Sequence, residues 1–156
     1  MTKSAFVYVT YISAKQDQVW KALIEPEFTR QYWQHDNVSD WKPGSTWEHR
    51  PLEAGRPVDI VGKVVECTPP RRMVLTWAAP PEAARPEAYS RVTFELETIE
   101  TMVKLTVTHD ELEQGSGMDK GIREGWPRVL ASLKSLLETG KALPTWAGKA
   151  KAQAAR

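Results

Sequence analysis

The stretch Ser90-Arg91-Val92-Thr93-Phe94-Glu95-Leu96-Glu97, followed after three residues by Thr101-Met102-Val103-Lys104-Leu105-Thr106-Val107-Thr108-His109, decides the fold. In the first run Val92, Phe94 and Leu96 alternate with Arg91, Thr93, Glu95 and Glu97. In the second, Val103, Leu105 and Val107 alternate with Lys104, Thr106 and Thr108. A period of two places successive side chains on opposite faces, so each run is a strand with one dry face and one wet face. His109 falls in the dry phase. Downstream, beyond the loop Gly115-Ser116-Gly117, Ile122, Trp126, Val129, Leu130, Leu133, Leu136 and Leu137 recur at helical spacing, and Gly140 is a natural stop. Pro127 lies inside that pattern, which predicts a restart or a kink there. A sheet with one dry face and a helix with one apolar stripe cover each other.

Upstream, residues 5–12 read as a strand. Ser13-Ala14-Lys15-Gln16 has the pattern of a capping box, opening a helix with Val19, Trp20, Leu23 and Ile24 on one face. Pro26 ends it and suits the first turn of a second short helix carrying Phe28, Tyr32 and Trp33. Pro43-Gly44 turns into a strand over Ser45–Arg50, with Trp47 and His49 in one phase. Glu53-Ala54-Gly55-Arg56 is a hairpin loop. Val58–Cys67 is a longer strand in which Gly62 predicts a bulge or bend. Thr68-Pro69-Pro70-Arg71 is a turn, Met73–Ala78 a strand, and the proline-rich Ala79–Ala88 a long surface loop. The order predicts an α+β domain over residues 1–143, a meander of about six strands in all, and a flexible tail over 144–156.

Among 156 residues, 21 Lys and Arg nearly cancel 20 Asp and Glu, leaving a net charge of +1. That balance excludes nucleic acid as an electrostatic partner. No apolar run approaches the roughly 18 residues of a membrane span, and the N-terminus has no cleavage-site pattern, so a cytoplasmic protein is expected. Asn37-Val38-Ser39 matches a glycosylation sequon that such a location leaves unused. Cys67 is the only cysteine, which rules out an intrachain disulfide. Seven tryptophans need places for seven N–H donors, which points to a cavity lining.

Several motifs carry less than they promise. Gly115-x-Gly117 lacks its third glycine at the dinucleotide spacing and follows an antiparallel strand. His35, His49, His109 and Cys67 have no metal-ligand spacing, so no metal and no cofactor are expected. Ser116 lacks a nucleophile-elbow setting, and Glu111 and Glu113 read as solvated loop residues. The better site is geometric. Trp77 ends one strand, Tyr89 begins the next, His109 ends the strand after that, and Trp126 lies near the start of the long helix. These meet at one rim under the 79–88 loop. With Trp33, Trp47 and Phe94 they predict an aromatic pocket with one titratable group.

Ile12-Ser13-Ala14, Val19-Trp20 and Glu25-Pro26-Glu27 open a longer pattern. Trp33, Pro43-Gly44, Gly62-Lys63-Val64-Val65-Glu66, Thr68-Pro69-Pro70-Arg71, Thr76-Trp77, Val92-Thr93-Phe94, Thr106–His109 and Gly125-Trp126 follow in order. Over about residues 5–140 this resembles the START-like (SRPBCC) superfamily, in its branch like the activator of the heat-shock-protein-90 ATPase. The resemblance implies a helix-grip fold, a curved antiparallel sheet gripping a C-terminal helix around a cavity. It implies three functions: binding of a small hydrophobic, aromatic or lipid-like molecule; a cyclase or hydrolase with His109 as acid/base; or a chaperone-interacting module. The first is the expectation. A chaperone partner is not expected, because the chain has no room for the cochaperone's other domain, while a homodimer is compatible with the pattern.

Overall fold

Alternation over the two deciding strands builds the centre of one seven-stranded antiparallel sheet in the computed structural model, which describes residues 2–144. The elements, in chain order, are β1 (Lys3–Ile12), α1 (Gln16–Ile24), α2 (Pro26–Tyr32), β2 (His35–Val38), β3 (Thr46–Pro51), β4 (Ile60–Thr68), β5 (Arg72–Trp77), β6 (Ser90–Ile99), β7 (Met102–Glu113) and α3 (Gly117–Thr139). Strand order is β1-β7-β6-β5-β4-β3-β2, a meander from β2 to β7 closed at one side by β1. Val92 faces His109, Phe94 faces Val107 and Leu96 faces Leu105 across the β6–β7 ladder. All six are buried, with Leu130 and Leu133 of α3 and Trp20 and Leu23 of α1 in the same core. Each fully buried aliphatic side chain of this kind contributes about 1.5–3 kcal/mol. This is the helix-grip α+β architecture.

Specific contacts fix the helices. Tyr32 donates its hydroxyl to the Ala22 carbonyl at 2.7 Å, closing the V of α1 and α2. Ser116 caps α3 by accepting the Asp119 amide, and the Asp119 carboxylate accepts from the Gly115 amide, the Ser4 hydroxyl and Arg123. Those donors hold the Asp119 carboxyl below its ordinary range, the Gly115 amide first among them. At the other end Gly140 takes the left-handed conformation at φ 84° that a side chain would resist.

The structure departs from the sequence reading at several points. Among the described residues there are seven strands rather than about six. The missed one, His35–Val38, has four residues and a single aliphatic, so no period marks it. The capping box is displaced. Lys15 precedes the first turn, and its amide donates to the Gln18 side chain. The Ser13 amide instead donates to Glu138 of α3, while Gln16 donates to the Pro70 and Leu96 carbonyls. Tertiary partners outbid the local ones. The bulge in β4 falls between Val64 and Glu66, not at Gly62. Strand β7 runs to Glu113, so Glu111 and Glu113 belong to it rather than to a loop. The long helix does not restart at Pro127. The 79–88 segment is shaped by two single-turn 3-10 helices, Pro80–Glu82 and Pro86–Ala88. Of the expected tail over 144–156, residues 145–156 lie outside the described residues. Among those described, no helix is long and apolar enough to cross a membrane.

Candidate functional site

The inward phase of β3, β5, β6 and β7 meets α3 in a continuous aromatic cluster. Trp77 lies 5.5 Å from Trp47, 5.7 Å from Trp126 and 5.2 Å from His109, centroid to centroid. Trp126 in turn lies 5.5 Å from Trp33 and 5.8 Å from Phe94. These spacings are those of rings in direct contact. Six of the seven residues expected at the site are therefore brought together. Their bulk occupies the space between sheet and helix, and a cleft of about 110 Å³ remains against α3, lined by Trp33, Trp77, Gly121, Ile122, Gly125, Trp126 and Val129. A side chain at Gly121 would meet open space, so the glycine keeps this wall thin.

Tyr89 is the seventh, and it stands apart. Its neighbour Ser90 points inward to His109, and strand alternation turns Tyr89 the other way. Its hydroxyl donates to the Ala83 carbonyl at 2.8 Å, and its ring lines a groove on the sheet's outer face. Sequence position at one rim did not specify which face the ring takes.

The indole N–H groups are placed individually. Trp47 donates to the Thr76 carbonyl at 2.8 Å, Trp77 to the Met118 sulfur at 3.3 Å, and Trp126 to His109 Nδ1 at 3.0 Å. The last contact fixes the chemistry of His109. An indole nitrogen only donates, so Nδ1 is the accepting nitrogen and Nε2 carries the hydrogen. Nε2 donates to Ser90 Oγ at 2.7 Å, and Ser90 donates on to the Trp77 carbonyl at 3.2 Å. Burial, partly offset by the Asp119 charge, pushes the ring's pKa down to about 3. His109 is a neutral tie between three elements with both nitrogens occupied. A general base needs a lone pair within reach of the substrate proton, and this ring's lone pair is already bonded.

The other two histidines form a pair that sequence spacing did not foreshadow. His35 stacks on His49 at 4.0 Å with nearly parallel rings. His35 Nδ1 meets the Trp33 carbonyl at 2.7 Å and its Nε2 the Asp59 carboxylate at 2.6 Å. Asn37 donates its amide to the Leu23 carbonyl, which turns its oxygen toward His49 Nδ1 at 2.6 Å. His49 therefore carries its hydrogen on Nδ1 and its lone pair on Nε2. Burial first, and then His35 nearby, push the His49 pKa well below the ordinary value. Its ring lies 4.6 Å from Trp33 and 6.0 Å from Trp77, so it belongs to the aromatic cluster. The only sequence signal was its phase with Trp47. Asn37 and Asp59, its partner and its neighbour's, had none.

The weaker motifs resolve plainly. The Gly115 amide and the Ser116 hydroxyl are taken by Asp119, so the glycine loop is a helix cap. Burial raises the pKa of the Cys67 thiol, which disfavours the reactive thiolate. Among the described residues no three His, Cys, Asp or Glu side chains converge to hold a metal ion.

Several solved structures share this architecture. The Aha1 dimer from Colwellia psychrerythraea is 22% identical with a TM-score of 0.73, over 89% of this chain and 99% of that one. CalU16 from Micromonospora echinospora is 20% identical with a TM-score of 0.69, over 97% of this chain and 86% of that one. ChR145 from Cytophaga hutchinsonii is 25% identical with a TM-score of 0.71, over 88% and 95%. No curated protein sequence matches the chain. The family described as activator of Hsp90 ATPase homolog 1-like protein matches residues 13–138, from the entry to α1 through the last turn of α3. The chain belongs to that family, in the SRPBCC superfamily whose helix grip its sheet and long helix form.

Proposed function

We propose that the protein binds a small, flat, hydrophobic ligand between the sheet and α3 and releases it unchanged. The observation that carries this reading is the cleft itself, where the indoles of Trp33 and Trp77 face a stretch of α3 that carries Gly121, Gly125 and Trp126. The cleft opens to solvent beside Gly121, and its volume of about 110 Å³, set against the roughly 150 Å³ that holds a benzene ring in a closed cavity, suits one aromatic ring at most without movement of Trp33 or Trp126. The occupied nitrogens of His109 argue against the cyclase or hydrolase reading. A homodimer is part of the proposal, supported by the dimeric Colwellia psychrerythraea relative; light scattering on the purified chain tests it.

The test is titration with a panel of monocyclic phenols, anilines and indoles, read by tryptophan quenching and melting temperature. Binding raises the melting temperature with ligand concentration. Gly121→Leu fills the cleft while improving helix propensity by up to about 1 kcal/mol, so it keeps the fold and abolishes binding. A panel that neither quenches nor stabilises, or a Gly121→Leu protein that binds like the parent, ends this reading.

A further inference from the structure

The outer face of the sheet carries the roomier concavity, and it is distinct from the interior cleft. Here Val61, Lys63 and Val65 project from β4 on the side opposite Val64, and Tyr89 and Pro86 overhang them from the 79–88 segment. The groove is open to solvent and has a volume of about 790 Å³. That falls within the range of about 300–1,000 Å³ typical of small-molecule sites.

The overhang is built rather than draped. A proline opens each of its single-turn helices. Arg85 bridges Glu82 at 2.5 Å and Glu87 at 3.0 Å, tying the two turns together. Lys3 of β1 donates to the Glu87 carbonyl at 3.0 Å, and Tyr89 is clipped to Ala83. The groove therefore keeps its shape without an occupant, which lowers the ordering cost of binding.

Its charges are unequal in availability. Of the two ionic residues that line it among those described, Glu48 is bonded to Arg50. Lys63 has no ion pair among the described residues. Its backbone amide donates to Thr76 Oγ1, which fixes the position from which the ammonium extends. One free cation beside valine and tyrosine walls is complementary to a carboxylate attached to an apolar body. We infer that this groove is a binding site for small amphipathic carboxylates, with Lys63 taking the carboxylate and Val61, Val65 and Tyr89 the hydrophobic part.

The experiment is amide chemical-shift mapping of the full chain with decanoate and with 2-naphthoate, each against its neutral alcohol. The expected result is shifts clustered at Val61, Lys63, Val65 and Tyr89, with each carboxylate at least tenfold tighter than its alcohol. Decanoate and 2-naphthoate separate fatty from aryl carriers of the same group. Lys63→Glu lies on an exposed position, keeps the fold and weakens binding at least tenfold, while Gly121→Leu leaves it unchanged. That pair separates this groove from the interior cleft, so each proposal fails by itself. Shifts confined to Gly121, Ile122 and Trp126, undiminished binding by Lys63→Glu, or no shifts at millimolar ligand would overturn the inference.

Discussion

The two faces of β3 and β4 treat neighbouring residues in opposite ways. On the inner face Trp47 lies in a packed aromatic cluster; on the outer face Glu48, one residue on, borders an open groove. Alternation delivers the bulk to one side, and curvature plus the 79–88 overhang leaves room on the other. Gly62 is where the two requirements meet. It pairs with Trp47, whose indole reaches across it to donate to the Thr76 carbonyl. A Cβ there would stand 1.8 Å from that carbonyl oxygen and 2.6 Å from the indole nitrogen. The indole can swing away; the backbone of β5 cannot. Gly62→Ala is therefore the largest effect expected, a loss on the order of 4 kcal/mol or more in chemical denaturation. A variant as stable as the parent would show that β4 and β5 can separate without cost, and that the inner face is less tightly fixed than its contacts imply.

A second difference between the faces is that the inner one holds neutral histidines. In the folded chain His109 gains a proton only near pH 3, against an ordinary value of 6.5. On acidification below 6.5 the unfolded chain takes up a proton that the folded chain refuses, so stability falls. The contribution is complete above pH 6.5 and is withdrawn through the window down to about 3. His109 withdraws about 1.4 kcal/mol per pH unit, or about 2 kcal/mol by pH 5. His49, also depressed, acts in the same direction. Denaturation midpoints at pH 7, 6 and 5 should fall accordingly, and His109→Gln should flatten the slope by about one proton. A flat profile would mean that acid already reaches these rings in the folded state.

How much of this was legible depended on the range of the interactions. The dry phases of β6 and β7 and the stripe of α3 are local patterns, so their burial and mutual covering could be read directly. Trp33, Trp47, Trp77, Phe94, His109 and Trp126 could be gathered because each lies on a phase or an end that topology brings inward. Tyr89 failed because a residue just ahead of a strand's first position has no period of its own to assign its face. β2 failed because His35-Asp36-Asn37-Val38 carries three polar side chains in a row where a strand would show alternation. The stacked histidines and their Asn37 and Asp59 partners join residues up to 24 apart through side-chain hydrogen bonds, which leave no spacing signature. The degree of filling was out of reach as well. Seven tryptophans promised a lining, yet whether large rings line a space or fill it is decided by their rotamers and by strand curvature.

Val64 and Val65 give the sharpest test of the contrast, being the same residue one step apart. Val64 is 1% exposed in the inner core, whereas Val65 is 50% exposed at the groove. Truncating a fully buried valine removes two methyl groups from a packed environment, so Val64→Ala should cost about 2 kcal/mol. Val65 sits at the β4 bulge with half its surface in solvent, so Val65→Ala should cost about 0.5 kcal/mol or less. Both variants keep the charge and the backbone, which makes the difference between them a reading of packing on each face. The measurement is paired urea denaturation at pH 7 with a common slope. Equal losses would mean that the outer face is packed as tightly as the inner one, that the groove is closed by its own overhang, and that the carboxylate site has no room. A cost confined to Val64 leaves the groove open, and adding decanoate to the Val65→Ala protein should then stabilise it less than the parent, because one wall has been withdrawn.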